Sequence, residues 1–265
     1  MSTVSAREDA VVVGVSALLF VVSAALTTFW CVSMSAIGGM PMPGGWTMSM
    51  AWMRMPGQTW PGAAASFMGT WIVMMVAMML PSLVPMLRCY RRADAPRRRE
   101  STRSGLRTAL VGAGYFFVWS AFGAAAFPIG VALAAIEMQH PALARAVPIA
   151  VGVVMLIAGA FQFTTWKAHH LASWRAGAGP EGPPSPGVGA AWRHGVRLGL
   201  DCACCCANLM AILLFAGLMD LRAMAVVTAA ITIERLAPGG VRAARVIGAV
   251  VVVAAILTLA TSTGR

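Results

Sequence analysis

Apolar residues along this 265-residue chain gather in long runs separated by short polar stretches. A run of about 20 apolar residues spans the hydrocarbon of a bilayer as a helix. Five such runs stand out, at 10–32, 64–87, 108–135, 146–166 and 246–262. A sixth, 198–219, opens on "DCACCC". A seventh, 221–237, is short and carries Arg222 at one end and Glu234 with Arg235 at the other; it spans, re-enters or rests at the interface. The first run exceeds the h-region of a signal peptide and no small-residue cleavage site follows it, so it reads as a retained helix. The expected fold is an all-α polytopic membrane bundle of six or seven transmembrane helices, a single integral membrane domain over 1–265.

Composition agrees, with 59% hydrophobic and 11% charged residues, against the roughly 25% charged of an ordinary soluble domain. Orientation follows from Lys and Arg, which collect in cytoplasmic loops. The 88–107 loop holds Arg88, Arg91, Arg92, Arg97, Arg98, Arg99, Arg103 and Arg107, and is assigned to the cytoplasm. Alternation then puts the N-terminus inside, the 33–63 loop outside, the Gly/Pro-rich 167–197 loop inside, and 16 of the 20 basic residues on the cytoplasmic side. The reading is a multi-pass protein of the cell inner membrane with the lipid bilayer as its partner. The net charge of +11 flanks membrane spans and has no stacking aromatics among it, so nucleic acid is excluded. No nucleotide-binding loop and no Ser/His/Asp arrangement are present.

Candidate chemistry lies in sulfur. A helix turns about 100° per residue, which gathers Asp201, Cys202, Cys205 and Cys206 within one arc of about 140° and leaves Cys204 outside it. On the cytoplasmic half of a span these are expected to be thiols facing the bundle interior, with Cys204 pointing away. Thirteen of the 19 methionines fall between Met34 and Met86. The outer loop carries Met40, Met42, Met48 and Met50 among glycines, prolines and tryptophans, a composition that suits either capture of soft Cu(I) or irregular packing. In the next helix Met74, Met75, Met78 and Met79 repeat the angular pattern of the cysteine face, with Trp71 over them and Ser82 beneath. Pro81 is expected to kink or loosen that helix. Both sulfur faces sit at a similar depth, so their ligands converge if the helices touch.

Four motifs, "GGMPMPGGWTMSMAWMRMPGQTW", "MMVAMMLPS", "FQFTTWKAHHLASWR" and "GLDCACCCANLM…GLMDLRAM…ERLAP", occur in that order. Together they resemble a bacterial family of predicted metal-binding integral membrane proteins, sometimes labelled copper chaperones, over most of residues 35–238. The resemblance implies a C-x-x-C-C metal motif at Cys202, Cys205 and Cys206. It also implies functional positions at Gln162, Lys167, Glu234 and Arg235. Many members carry a cysteine just after the lysine; here His169 and His170 stand there, as substitute ligands or as interfacial residues.

The leading expectation is a membrane-embedded soft-metal binding protein acting in metal handling or delivery. Its metal is copper first, with zinc and iron as other candidates, and it has an intramembrane Cys/Met site and a Met-rich outer loop. A metal-dependent membrane oxidoreductase subunit working with a soluble partner is the alternative, and a subunit in which sulfur only packs is the third class. The topology is open to a direct check. Reporter fusions at Arg97 and Gly182 are expected to read cytoplasm and one at Gly45 the outside, and a cytoplasmic Gly45 would invert the scheme.

Overall fold

The computed structural model describes residues 3–93, 104–176 and 187–263. Arg97, Arg98, Arg99 and Arg103 of the basic loop, and most of the Gly/Pro-rich stretch including Gly182, lie outside the described residues. Eight α-helices are present among those described: α1 Thr3–Ile37, α2 Trp60–Ala93, α3 Ser104–Gln139, α4 Pro141–Phe161, α5 Thr165–Ala176, α6 Val188–Ala216, α7 Leu221–Leu236 and α8 Gly240–Thr263. Six of them, all but α5 and α7, are long and apolar enough to cross a membrane, which marks a multi-pass membrane protein.

The apolar runs underestimate the helices, because a backbone that satisfies its own hydrogen bonds continues past the hydrocarbon. The largest difference is in α6. It was expected from residue 198, and it begins ten residues earlier at Val188, carrying Arg193 and Arg197 in its first turns. The cysteines therefore lie at the middle of the helix and not at its start. At its other end α6 stops at Gly217, two residues before the expected 219, where φ of +135° ends the helical geometry. Asp220 then caps α7, its carboxylate accepting from the amides of Arg222 and Ala223 at 2.8 and 3.2 Å. The run expected at 146–166 is also shifted, since α4 starts with Pro141 at its first turn and ends at Phe161. Pro81 and Pro85 both sit within α2, which continues helical to Ala93.

Helices α2 and α6 form the centre. In their most apolar windows 56% and 61% of residues are buried, against 17–22% in the other four long helices. α6 lies along α3, and glycine sets that approach: a Cβ at Gly195 would run into the Val111 backbone, and one at Gly114 would meet the Trp192 carbonyl at 2.6 Å. Gly195 and Gly199 are four residues apart on one face of α6, the small-residue spacing that lets membrane helices close up. This contact brings Tyr115 of α3 onto the cysteine face.

The 33–63 loop is ordered as a small cap. Strands β1 Met40–Met42 and β2 Trp46–Met48 pair antiparallel, Met40 facing Met48 and Met42 facing Trp46. Gly44 and Gly45 turn the chain at φ of +104° and +76°. The Trp46 indole donates to the Ala144 carbonyl at 2.8 Å, and Met42 and Met48 bury against Ala134 and Ala144, so the hairpin rests on the α3–α4 junction. Helix α5 was expected only as loop. Lys167, Leu171 and Trp174 form its buried stripe at i, i+4 and i+7, while Trp166 and His169 face outward. Thr164 starts it, its hydroxyl accepting from the Lys167 amide at 3.2 Å.

Leucine at Gly195 is expected to lower stability by about 1–3 kcal/mol or more, the cost of overpacking a closed contact. Gly112→Leu, where a Cβ meets nothing within 4 Å, should stay within about 0.5 kcal/mol of the parent. Thermal denaturation of the detergent-purified variants compares the two, and equal stabilities would mean that α3 and α6 are not in contact there.

Candidate metal centre

The core of the molecule is rich in sulfur. Met74, Met75, Met78 and Met79 of α2 are each no more than 2% exposed, and Cys202 and Cys206 of α6 belong to the same apolar cluster. The Cys202 thiol lies 4.0 Å from the Met79 thioether. Cys206 is one helical turn on, within hydrogen-bonding reach of Cys202. The Tyr115 hydroxyl meets the Cys202 sulfur at 2.8 Å. These contacts follow from the 3.6-residue turn, which sends positions 202 and 206 to the same side of α6.

Against this group stands a buried cation. Arg235, near the end of α7 and 3% exposed, places one terminal nitrogen 3.0 Å from the Cys202 sulfur and 3.2 Å from the Cys202 carbonyl. Its other terminal nitrogen donates to the Ser82 hydroxyl at 2.9 Å. The face of the guanidinium lies 4.3 Å from the centre of the Trp174 ring. Such stacking is worth about 2 kcal/mol when desolvated. One arginine thus ties α2, α5, α6 and α7 together at the sulfur pair.

A second polar layer lies beside it. Glu234 accepts from the Gln162 amide at 2.7 Å and pairs with Lys167 at 2.7 Å, with both charged side chains almost fully buried. The same ammonium donates to the Cys205 carbonyl at 2.5 Å. Cys205 itself packs with Leu171 and Ala244, in a cluster separate from Cys202 and Cys206. Asn208, two residues beyond Cys206, donates to the Ala158 carbonyl at 3.0 Å.

The remaining candidate residues are spread out. Asp201 and Cys204 are half-buried on the flanks of α6. His169 is exposed, and His170 rests on Trp166 with ring centres 4.0 Å apart. In the cap Met42 and Met48 are buried, Met50 is half-buried and Met40 is exposed. Among the described residues no group of three or more His, Cys, Asp and Glu converges as metal ligands. The donors brought together are two thiols and a thioether, with Glu234 turned to Lys167 and Gln162 to Glu234 instead. Sequence reasoning missed Tyr115, which lies in none of the four motifs, and Trp174, which lies in the third without being singled out; they reach Cys202 and Arg235 only through tertiary packing. It also missed the contact of Cys31 with Met219, sulfurs 4.0 Å apart near the cap.

Two thiols and a thioether fit soft Cu(I) better than any hard cation. The comparisons with known proteins agree in that direction. No curated protein and no solved structure matches the chain. A family description, PpoB2 copper chaperone, matches residues 68–258, which include α2 from Met68, both polar layers and all four clustered cysteines. By that match, over most of its length, the chain belongs to the PpoB2 copper chaperone family.

Proposed function

We propose that this protein is a membrane-embedded copper carrier that takes Cu(I) as cargo at Cys202 and Cys206, with Met79 as the third soft donor. The observation that carries this reading is the Arg235 guanidinium against the Cys202 sulfur. A buried cation requires a counter-charge, and a Cys202 thiolate supplies it before metal arrives. When Cu(I) binds, Cys206 gives up its proton to solvent, as thiol ligands must. Two thiolates and one Cu(I) then carry one net negative charge, which Arg235 offsets. With Glu234 paired to Lys167, the buried group sums to zero. Zn(II) in the same place would leave one uncompensated positive charge, and structural zinc takes four ligands.

In this reading Lys167, Glu234 and Gln162 are positioning residues that fix α5, α6 and α7 around the thiols. Cys205 offers its carbonyl to that layer, and His169 and His170 are interfacial. The cap faces outside, where exposed Met40 is the first thioether to meet metal. Delivery to a soluble metal-handling partner is the step that follows.

Metal analysis of the purified protein tests the assignment. Cys202→Ser with Cys206→Ser is expected to lose nearly all bound copper, whereas Cys204→Ser keeps it. Arg235→Gln removes a group that touches the ligand and not the metal, and should weaken copper binding by about 10–100-fold. Equal copper in the double variant and the parent, or an equal loss in Cys204→Ser, overturns the proposal.

A further inference from the structure

A groove of about 970 Å³ opens between α3, α4 and α6 under the cap, at the upper end of the volumes of small-molecule pockets. Small residues make the room. Ala203, Ala207 and Ala211 line it at one-turn spacing along α6, and Ala126 lines it from α3. Tryptophans bound it. A Cβ at Gly123 would run into the Trp71 ring at the floor, where the Trp71 indole donates to the Trp119 carbonyl at 2.8 Å, and a Cβ at Gly130 would run into the Trp52 ring of the cap. Along α3 the lining runs from Trp119 to Glu137, about 27 Å at 1.5 Å per residue.

The groove is open at its side. Its rim residues Phe122, Ile129, Leu133 and Phe215 are exposed, and the three helices that carry them and face them are all long and apolar enough to cross a membrane. An opening in such a wall meets hydrocarbon and not water, and a lipid tail is as apolar as the lining itself. Left empty, the alanine stripe would have no atoms against it and would lose those contacts outright. A long flexible chain entering from the side restores them. Among the described lining residues Glu137 alone ionises, half-buried at the cap end of the groove. Arg145 stands exposed beside the hairpin turn, its Cα 3.1 Å from where a Cβ at Gly44 would lie. A carboxylate and a guanidinium at the end of an apolar slot match a head that carries both an ammonium and a phosphate.

We infer that the groove binds one phospholipid with a primary-ammonium head, its tail along Ala203, Ala207 and Ala211 and its ammonium at Glu137. A head with phosphate and hydroxyls alone brings no cation to Glu137 and sets a like charge near it. The bound chain fills the space between the cap and the floor, and so supports the hairpin from below. The inference is independent of the copper reading, since none of Cys202, Cys206 and Met79 lines the groove.

Native mass spectrometry of the detergent-purified full chain tests it, with phosphatidylethanolamine and phosphatidylglycerol of the same tails as probes. The parent is expected to hold one phosphatidylethanolamine and to bind it about ten-fold more tightly than phosphatidylglycerol, the worth of one hydrogen bond to a charged group. Glu137→Gln should abolish that preference. Ala207→Phe with Ala126→Phe fills the slot and should remove the bound lipid, whereas Val250→Phe, on the exposed face of α8 outside the groove, should keep it. Equal binding of the two lipids by the parent overturns the inference, as does undiminished lipid in the phenylalanine pair or a co-purifying molecule of another class, such as an isoprenoid quinone. Should the pair fail to fold, Glu137→Gln decides alone, and an unchanged preference in that variant overturns the inference.

Discussion

A buried guanidinium governs this structure. Arg235 is reached by an α2 hydroxyl, an α5 indole face and an α6 sulfur and carbonyl, and no single helix supplies more than a part of that shell. Leaving such a charge unpartnered costs several kcal/mol, comparable with breaking a buried ion pair at about 3–5 kcal/mol. The four helices are therefore constrained to one mutual arrangement, and the sulfur pair is fixed as a by-product of satisfying the arginine.

The surrounding architecture serves that centre in two different ways. α3 is drawn in by glycine, which permits backbone approach and lets Tyr115 reach Cys202. α5 is drawn in by charge, since Lys167 has its ion-pair partner on α7 and its carbonyl partner on α6. The exposed apolar faces of α1, α4 and α8 then do what an interior-poor protein needs of a bilayer: they accept lipid instead of burial.

Much of this was legible in the order of residues. Hydropathy finds α1, α2, α3, α4, α6 and α8 because hydrocarbon imposes a minimum apolar length. It misplaces the start of α6, since Arg193 and Arg197 break the apolar run without breaking the helix. α5 is invisible to it, with three buried side chains among polar neighbours. Helical arithmetic puts Cys202 with Cys206 and Met74, Met75, Met78 and Met79 on shared faces, because the period is a property of the backbone. What it cannot provide is pairing across helices. Glu234 and Arg235 are sequence neighbours of opposite sign, yet one faces Lys167 and the other Cys202, a division decided by partners 67 and 33 residues away.

The brevity and polarity of α7 bear on how the chain is inserted as it is synthesised. An arginine at the centre of a span costs about 2.5–3.5 kcal/mol on insertion scales, and each Leu, Ile or Val returns only about 0.3–0.6 kcal/mol. The six such residues in Leu221–Leu236 return about 2–4 kcal/mol, which a mid-span arginine would cancel; Arg235 stands in the last turn of α7, so that cost is an upper bound, to which Glu234 adds. The translocation machinery has no hydrophobic reason to release this segment into lipid by itself. Lys167, Cys202 and Ser82 supply the partners that make burial of its end favourable, so α7 is expected to settle after the helices that carry them.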